Sequence, residues 1–113
     1  MQKPSFKIIG NKINFENGDV IVLEYQVLSH LLAEDTLVVV LRVPNGVDML
    51  NNVLGINVRD SKIIWKVEKY PYQDKPFNSV VFTKTNKVGL RGSRDVIINA
   101  NTGKILELLR GYK

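Results

Sequence analysis

The chain has 113 residues, 44% of them hydrophobic, and a formal net charge of +5. That length and apolar content give one domain over 1–113 with a core that needs no covalent staple. The lack of cysteine excludes disulfides, thiolate metal sites and cysteine nucleophiles, and fits a reducing compartment.

The dominant hydrophobic period is two. FKIIG (6–10) and KINFE (12–16) alternate and meet at Gly10-Asn11. Asn17-Gly18, a strong hairpin signal, leads into DVIVLEY (19–25), so 12–25 reads as a β-hairpin. Val20, Val22 and Glu24 fall on one face there, and Ile21, Leu23 and Tyr25 on the other. VLSHLLAED (27–35) fits either a helical turn or a short strand that ends in a turn, and we read it as the strand. LVVVLRV (37–43) is nearly all apolar and β-branched, the pattern of a central strand buried on both faces. Pro44-Asn45-Gly46 ends it, and VDMLNNV (47–53) is a surface connection or a single helical turn.

LGINVR (54–59) places Leu54, Ile56 and Val58 inward, and Asp60-Ser61-Lys62 turns the chain. IIWKVE (63–68) returns with Ile63, Trp65 and Val67 facing the core. KYPYQDKPF (69–77) is the longest loop, with two prolines and three aromatics. SVVFTKT (79–85) is a strand, and KVGLRGS (87–93) a glycine-interrupted strand with a bulge. DVIINA (95–100) and KILELL (104–109) form a last hairpin, in which Gly103 takes positive φ and the Asn101 side chain supports the turn. The RGYK tail frays or pairs at an edge. The expected fold is all-β: an antiparallel meander of about 8–10 short strands in sandwich-like or partial-propeller sheets, with at most one or two short helical turns.

Two segments, INVRDSKIIWKVE (56–68) and VIINANTGKILELL (96–109), resemble blade hairpins of the quinoprotein-type (PQQ-repeat) β-propellers. Lys62 and Trp65 fall on that family's lysine and aromatic positions in the first segment, and Thr102, Gly103 and Lys104 on its turn in the second. Asn99 stands where the family has aspartate, Ser61 where it has a turn glycine, and Leu108 near its second aromatic. The resemblance covers about a quarter of the chain. It implies a β-meander, in which the aromatic stacks between blades, and no quinone site. A ring of at least four blades of roughly 40–45 residues exceeds this length. The layout is also similar to that of small bacterial β-proteins, some of them immunity proteins of toxin systems, and this likeness carries no functional residues across.

The charge is unevenly placed. Residues 1–56 carry four Lys/Arg and six Asp/Glu, and residues 57–113 carry twelve and five. A basic half suits an acidic protein or a nucleic acid, or is simply a solvated, lysine-rich β surface. GLRGSR (89–94) offers Arg91 and Arg94, with Lys84 and Lys87 nearby, as an anion-binding cluster. The bland alternative is a bulged strand entering a polar turn. Tyr70, Tyr72 and Phe77, on the proline-stiffened loop, form a candidate protein-contact patch. They serve equally as a cap folded over the sheet edge. His30 is the single histidine, and HLLAED lacks the spacing of a zinc site. No P-loop, dinucleotide fingerprint or nucleophile elbow occurs.

The start of the chain has no signal-peptide pattern, and Leu37–Leu41 is far short of the ~20 residues of a membrane span. The expectation is therefore a cytoplasmic, non-enzymatic protein-interaction module without cofactor or metal, off the membrane, with an acidic protein partner. One concrete form is an immunity-type protein. A nucleic-acid-binding β-protein that uses the basic half, and a small-ligand or carbohydrate binder in an inter-sheet cleft, are the alternatives. Apolar residues on both faces of several strands favour a homodimer over a monomer.

Overall fold

The computed structural model describes residues 5–69, 73–92 and 95–109. Eleven strands form three antiparallel sheets, and no helix occurs among the described residues. The first sheet holds β1 (Phe6–Ile9), β2 (Lys12–Phe15) and β3 (Val20–Val22). The second holds β4 (Val27–Ala33), β5 (Thr36–Leu41), β6 (Val53–Asn57) and β7 (Lys62–Lys66). The third holds β8 (Ser79–Lys84), β9 (Lys87–Arg91), β10 (Val96–Asn99) and β11 (Ile105–Leu108). Within each sheet the strands lie side by side in chain order, joined by short turns except between β5 and β6, where a longer connection over 42–52 intervenes. Segment 27–33, which also carries helical spacing, is a strand because it pairs along one whole edge of β5. Segment 47–50 is an irregular connection without a helical turn.

The second sheet is the middle layer. Alternation along β5 sends Val38 and Val40 into one core with Val80, Val88, Leu90, Val96 and Ile98 of the third sheet. Leu37, Val39 and Leu41 enter a second core with Ile13 and Phe15 of the first sheet and Leu23 just after β3. All six residues of β5 are buried, which is why that strand carries an unbroken apolar run. The third sheet approaches the second most closely along β4 and β8, where Cα atoms come within 8 Å. There Val80 N donates to Ser29 Oγ at 3.2 Å.

Toward β7 the space between these two sheets is filled by Trp65. Its indole lies against Gly55 of β6 and Gly103 of the β10–β11 loop, and Nε1 donates to Ala100 O at 2.8 Å. Gly103 has φ +75°, as the turn requires, and a Cβ there would lie 2.5 Å from Trp65 Cε3. Gly103→Ala is therefore expected to cost about 2–3 kcal/mol, from left-handed strain and overpacking together. An unchanged urea midpoint would refute both the turn and the stacking. The turn's side-chain support comes from Asn99, whose Oδ1 accepts from Asn101 N at 2.8 Å, and from Thr102, whose Oγ1 accepts from Lys104 N at 3.3 Å. The Asn101 side chain instead faces Thr36 Oγ1 at 3.5 Å.

Two local expectations change. Ile63 shares a face with Ile56, its partner across the ladder, yet Ile63 is 49% exposed while Ile56 is fully buried. The first sheet has three strands against the second sheet's four, and its cover does not reach β7. The bulge expected near Gly89 lies in the neighbouring strand, between Phe82 and Lys84 of β8. Gly89 itself is regularly paired and makes room for Val81, whose Cγ2 would stand 3.0 Å from a Cβ at that position.

Candidate functional site

The outer face of the third sheet collects the basic residues singled out in the sequence. Val88 and Leu90 of β9 point into the core, so Lys87, Gly89 and Arg91 point outward. Across the ladder Gly89 pairs with Val81 on β8 and with Ile97 on β10, so an apolar row runs over the middle of this face. Lys84 pairs with Lys87 at one end of the β8–β9 hairpin, and Ser79 pairs with Arg91 at the other. Four residue steps along the strand take Lys87 to Arg91, about 13 Å. The basic groups therefore flank the apolar row and do not converge on one anion.

Both ends have definite electrostatics. Arg91 Nε lies 3.9 Å from Asp95 Oδ2, with the arginine side chain largely exposed. Gly92 N donates to Asp95 Oδ1 at 3.3 Å, so an N–H that an anion-binding loop would offer is already engaged. At the opposite end Lys84 and Lys87 stand directly across from one another, and among the described residues neither forms an ion pair. Thr83 Oγ1 donates to Lys87 O at 2.9 Å and holds the hairpin end closed.

The aromatic loop behaves differently. Phe77 is 2% exposed and belongs to the core between the second and third sheets. Its N–H donates to Asn52 Oδ1 at 2.9 Å, and its carbonyl accepts from Asn52 Nδ2 at 2.8 Å. It closes the core and offers no contact surface. Tyr70, Tyr72 and Arg94 lie outside the described residues. His30 is on β4, with its ring edge-on to Phe6 at 6.4 Å between centroids. No group of three His, Asp or Glu able to hold a metal occurs among the described residues. Nor, among them, is any helix long and apolar enough to cross a membrane.

Two shallow clefts open where the first and second sheets meet. One of about 370 Å³ lies beside Phe15, Glu16, Asn17 and Arg59, and one of about 410 Å³ beside Asn11, Glu24, Tyr25 and Arg42. In the first, Arg59 Nε is already paired with Asp35 Oδ1 at 2.9 Å. Sequence reasoning placed the basic residues on the right half of the chain. It missed the row of Val81, Gly89 and Ile97 that joins them, because cross-strand register is what brings those three together. The available signal was the small residue at Gly89, flanked by alternating apolar positions.

No curated protein matches the chain. The match to a family model spans nearly the whole of it and carries neither a quinoprotein nor an immunity assignment. The chain belongs to the family described as a domain of unknown function, DUF7957, whose model covers residues 4–109.

Proposed function

We propose that this protein is a non-enzymatic interaction module that binds an acidic protein surface through the outer face of its third sheet. The observation that carries the reading is the Lys84–Lys87 pair. Like charges directly opposite on neighbouring strands destabilise a sheet, and a partner carboxylate lying between the two ammonium groups relieves that cost. The row of exposed Val81, buried Gly89 and half-buried Ile97 supplies apolar contact between this pair and Arg91. A charged rim around an apolar centre is the usual anatomy of a protein interface. An immunity-type protein acting in the bacterial cytoplasm is the specific form that fits. It would neutralise an acidic cognate domain.

The test is capture of partners from the native host on the immobilised chain and on a Lys87→Glu/Arg91→Glu variant. An acidic protein retained by the parent should bind the variant about tenfold or more weakly, because like-charge juxtaposition at an interface is costly. Equal retention by both would reject this face. Nucleic acid retained with a steep loss on added salt would replace the reading by phosphate-driven binding.

A further inference from the structure

Among the described residues the first sheet has three strands against the second sheet's four, and the place for a fourth is already built. The ring of Phe6 on β1 meets His30 on β4, so β1 lies over β4. Asn17 Nδ2 in the β2–β3 turn reaches Ser61 Oγ in the β6–β7 turn at 3.4 Å. Three strands laid over four from the β4 side end above β6, and β7 is left bare on that face. The exposures agree: Ile63 and Ile64 of β7 are 49% and 45% exposed, while Trp65 and Val67 are buried against the third sheet.

The wall of this notch is the outer edge of β3, which pairs with no further strand among the described residues. Leu23 N donates to Asn11 O, and Asp19 O accepts from Phe15 N, so the odd-numbered residues of this segment address β2. In an antiparallel strand the alternate residues point the other way. The N–H and C=O groups of Val20 and Val22 therefore face the notch, two donors and two acceptors in register for one added strand. Its floor runs from Ile63 and Ile64 to Lys66. Lys66 pairs with Leu54, and Leu54 packs into the core under the first sheet, so this lysine shares the notch-facing side.

We propose that this notch binds an extended segment of a partner polypeptide, which adds antiparallel to β3 as the missing fourth strand. The chemistry of the site specifies the segment. Its main chain completes the hydrogen bonds of Val20 and Val22. A branched apolar residue packs on Ile63 and Ile64, and a carboxylate two positions away, on the same face, meets Lys66. This is recognition by strand addition, in which the backbone supplies affinity and alternate side chains supply specificity. A second copy of the chain is a poor occupant. Its β3, added antiparallel about a two-fold axis normal to the sheet, would bring its own second sheet into the space that β7 fills.

The probe is a soluble synthetic peptide alternating valine and threonine, with one aspartate two positions from a valine. Saturating peptide should slow amide hydrogen exchange at Val20 and Val22 by about tenfold or more. Val22→Pro removes one notch-facing donor while leaving the β2 ladder intact, since an edge strand tolerates proline on its free side. That variant should keep the exchange protection of β5 and lose the peptide. Lys66→Glu, a surface change that leaves folding untouched, should weaken the aspartate peptide about tenfold and favour the lysine-substituted one. Unchanged exchange at Val20 and Val22 in millimolar peptide would overturn the proposal, as would peptide binding indifferent to both variants. Protection that grows with protein concentration and needs no peptide would overturn the partner assignment in favour of self-association.

Discussion

Trp65→Ala should lower the unfolding free energy by about 3–5 kcal/mol, the range for deleting a large buried aromatic. The urea midpoint reads the effect. The indole fills the space between the second and third sheets at the β7 side, touches two glycines, and donates Nε1 to Ala100 O. Its removal therefore empties a large volume and leaves a buried carbonyl without its partner. Trp65→Phe keeps most of the volume and loses only the hydrogen bond, so it should cost about 1–3 kcal/mol. The glycines give a second reading of the same contact. A Cβ on Gly55 would overlap Trp65 Cε2 and Nε1. Gly55→Ala should thus destabilise the parent by about 1–3 kcal/mol and cost much less on the Trp65→Ala background, because the two residues share one space. Equal costs on both backgrounds would show that Gly55 and Trp65 are not in contact.

Asn52→Asp should cost a similar amount, about 3–5 kcal/mol at neutral pH, because it buries a charge without a counter-ion. Asn52 is 1% exposed, and Nδ2 donates to both Leu41 O and Phe77 O at 2.8 Å while Oδ1 accepts from Phe77 N. The amide thereby ties the end of β5 to the segment entering β8. A carboxylate would keep the bond from Phe77 N and aim its second oxygen at two carbonyls. Burial raises the affinity of that introduced carboxyl for a proton in the folded state. The loss is then full at neutral pH and shrinks as the pH falls toward the ordinary carboxyl range, where the protonated group donates to one carbonyl. A chevron or urea series at two pH values checks both magnitude and sign. A loss under 1 kcal/mol, constant with pH, would place Asn52 in contact with solvent.

The two-faced strand was legible in the sequence because residues 37–41 leave no polar position in either alternating set. Hairpins at Asn17-Gly18 and at Thr102-Gly103 were legible for a local reason: few residues tolerate positive φ, and glycine stands at each such site. Period two divided 20–25 into two faces without telling which is inward, and the structure buries Leu23 while Val20 and Val22 are exposed. The alternation of 63–68 placed Trp65 in a core, and it is buried there.

What the sequence could not show is which strand covers which. Ile63 obeys the same alternation as Ile56, and only the short count of strands in the first sheet leaves it exposed. Phe77, on a proline-stiffened loop with two tyrosines, has the composition of a contact residue, yet Asn52, 25 positions away, draws it into the core. Lys84, Lys87 and Arg91 are close in sequence, but strand pairing sets them at two ends of one hairpin, with Ile97 drawn in between from a third strand. Hydrophobic period and turn chemistry are local properties, so the chain alone determined its strands, its turns and the inward face of most of them. Layer order, edge exposure and the face that gathers the basic residues depend on contacts between positions far apart in the chain, and those only the tertiary structure decided.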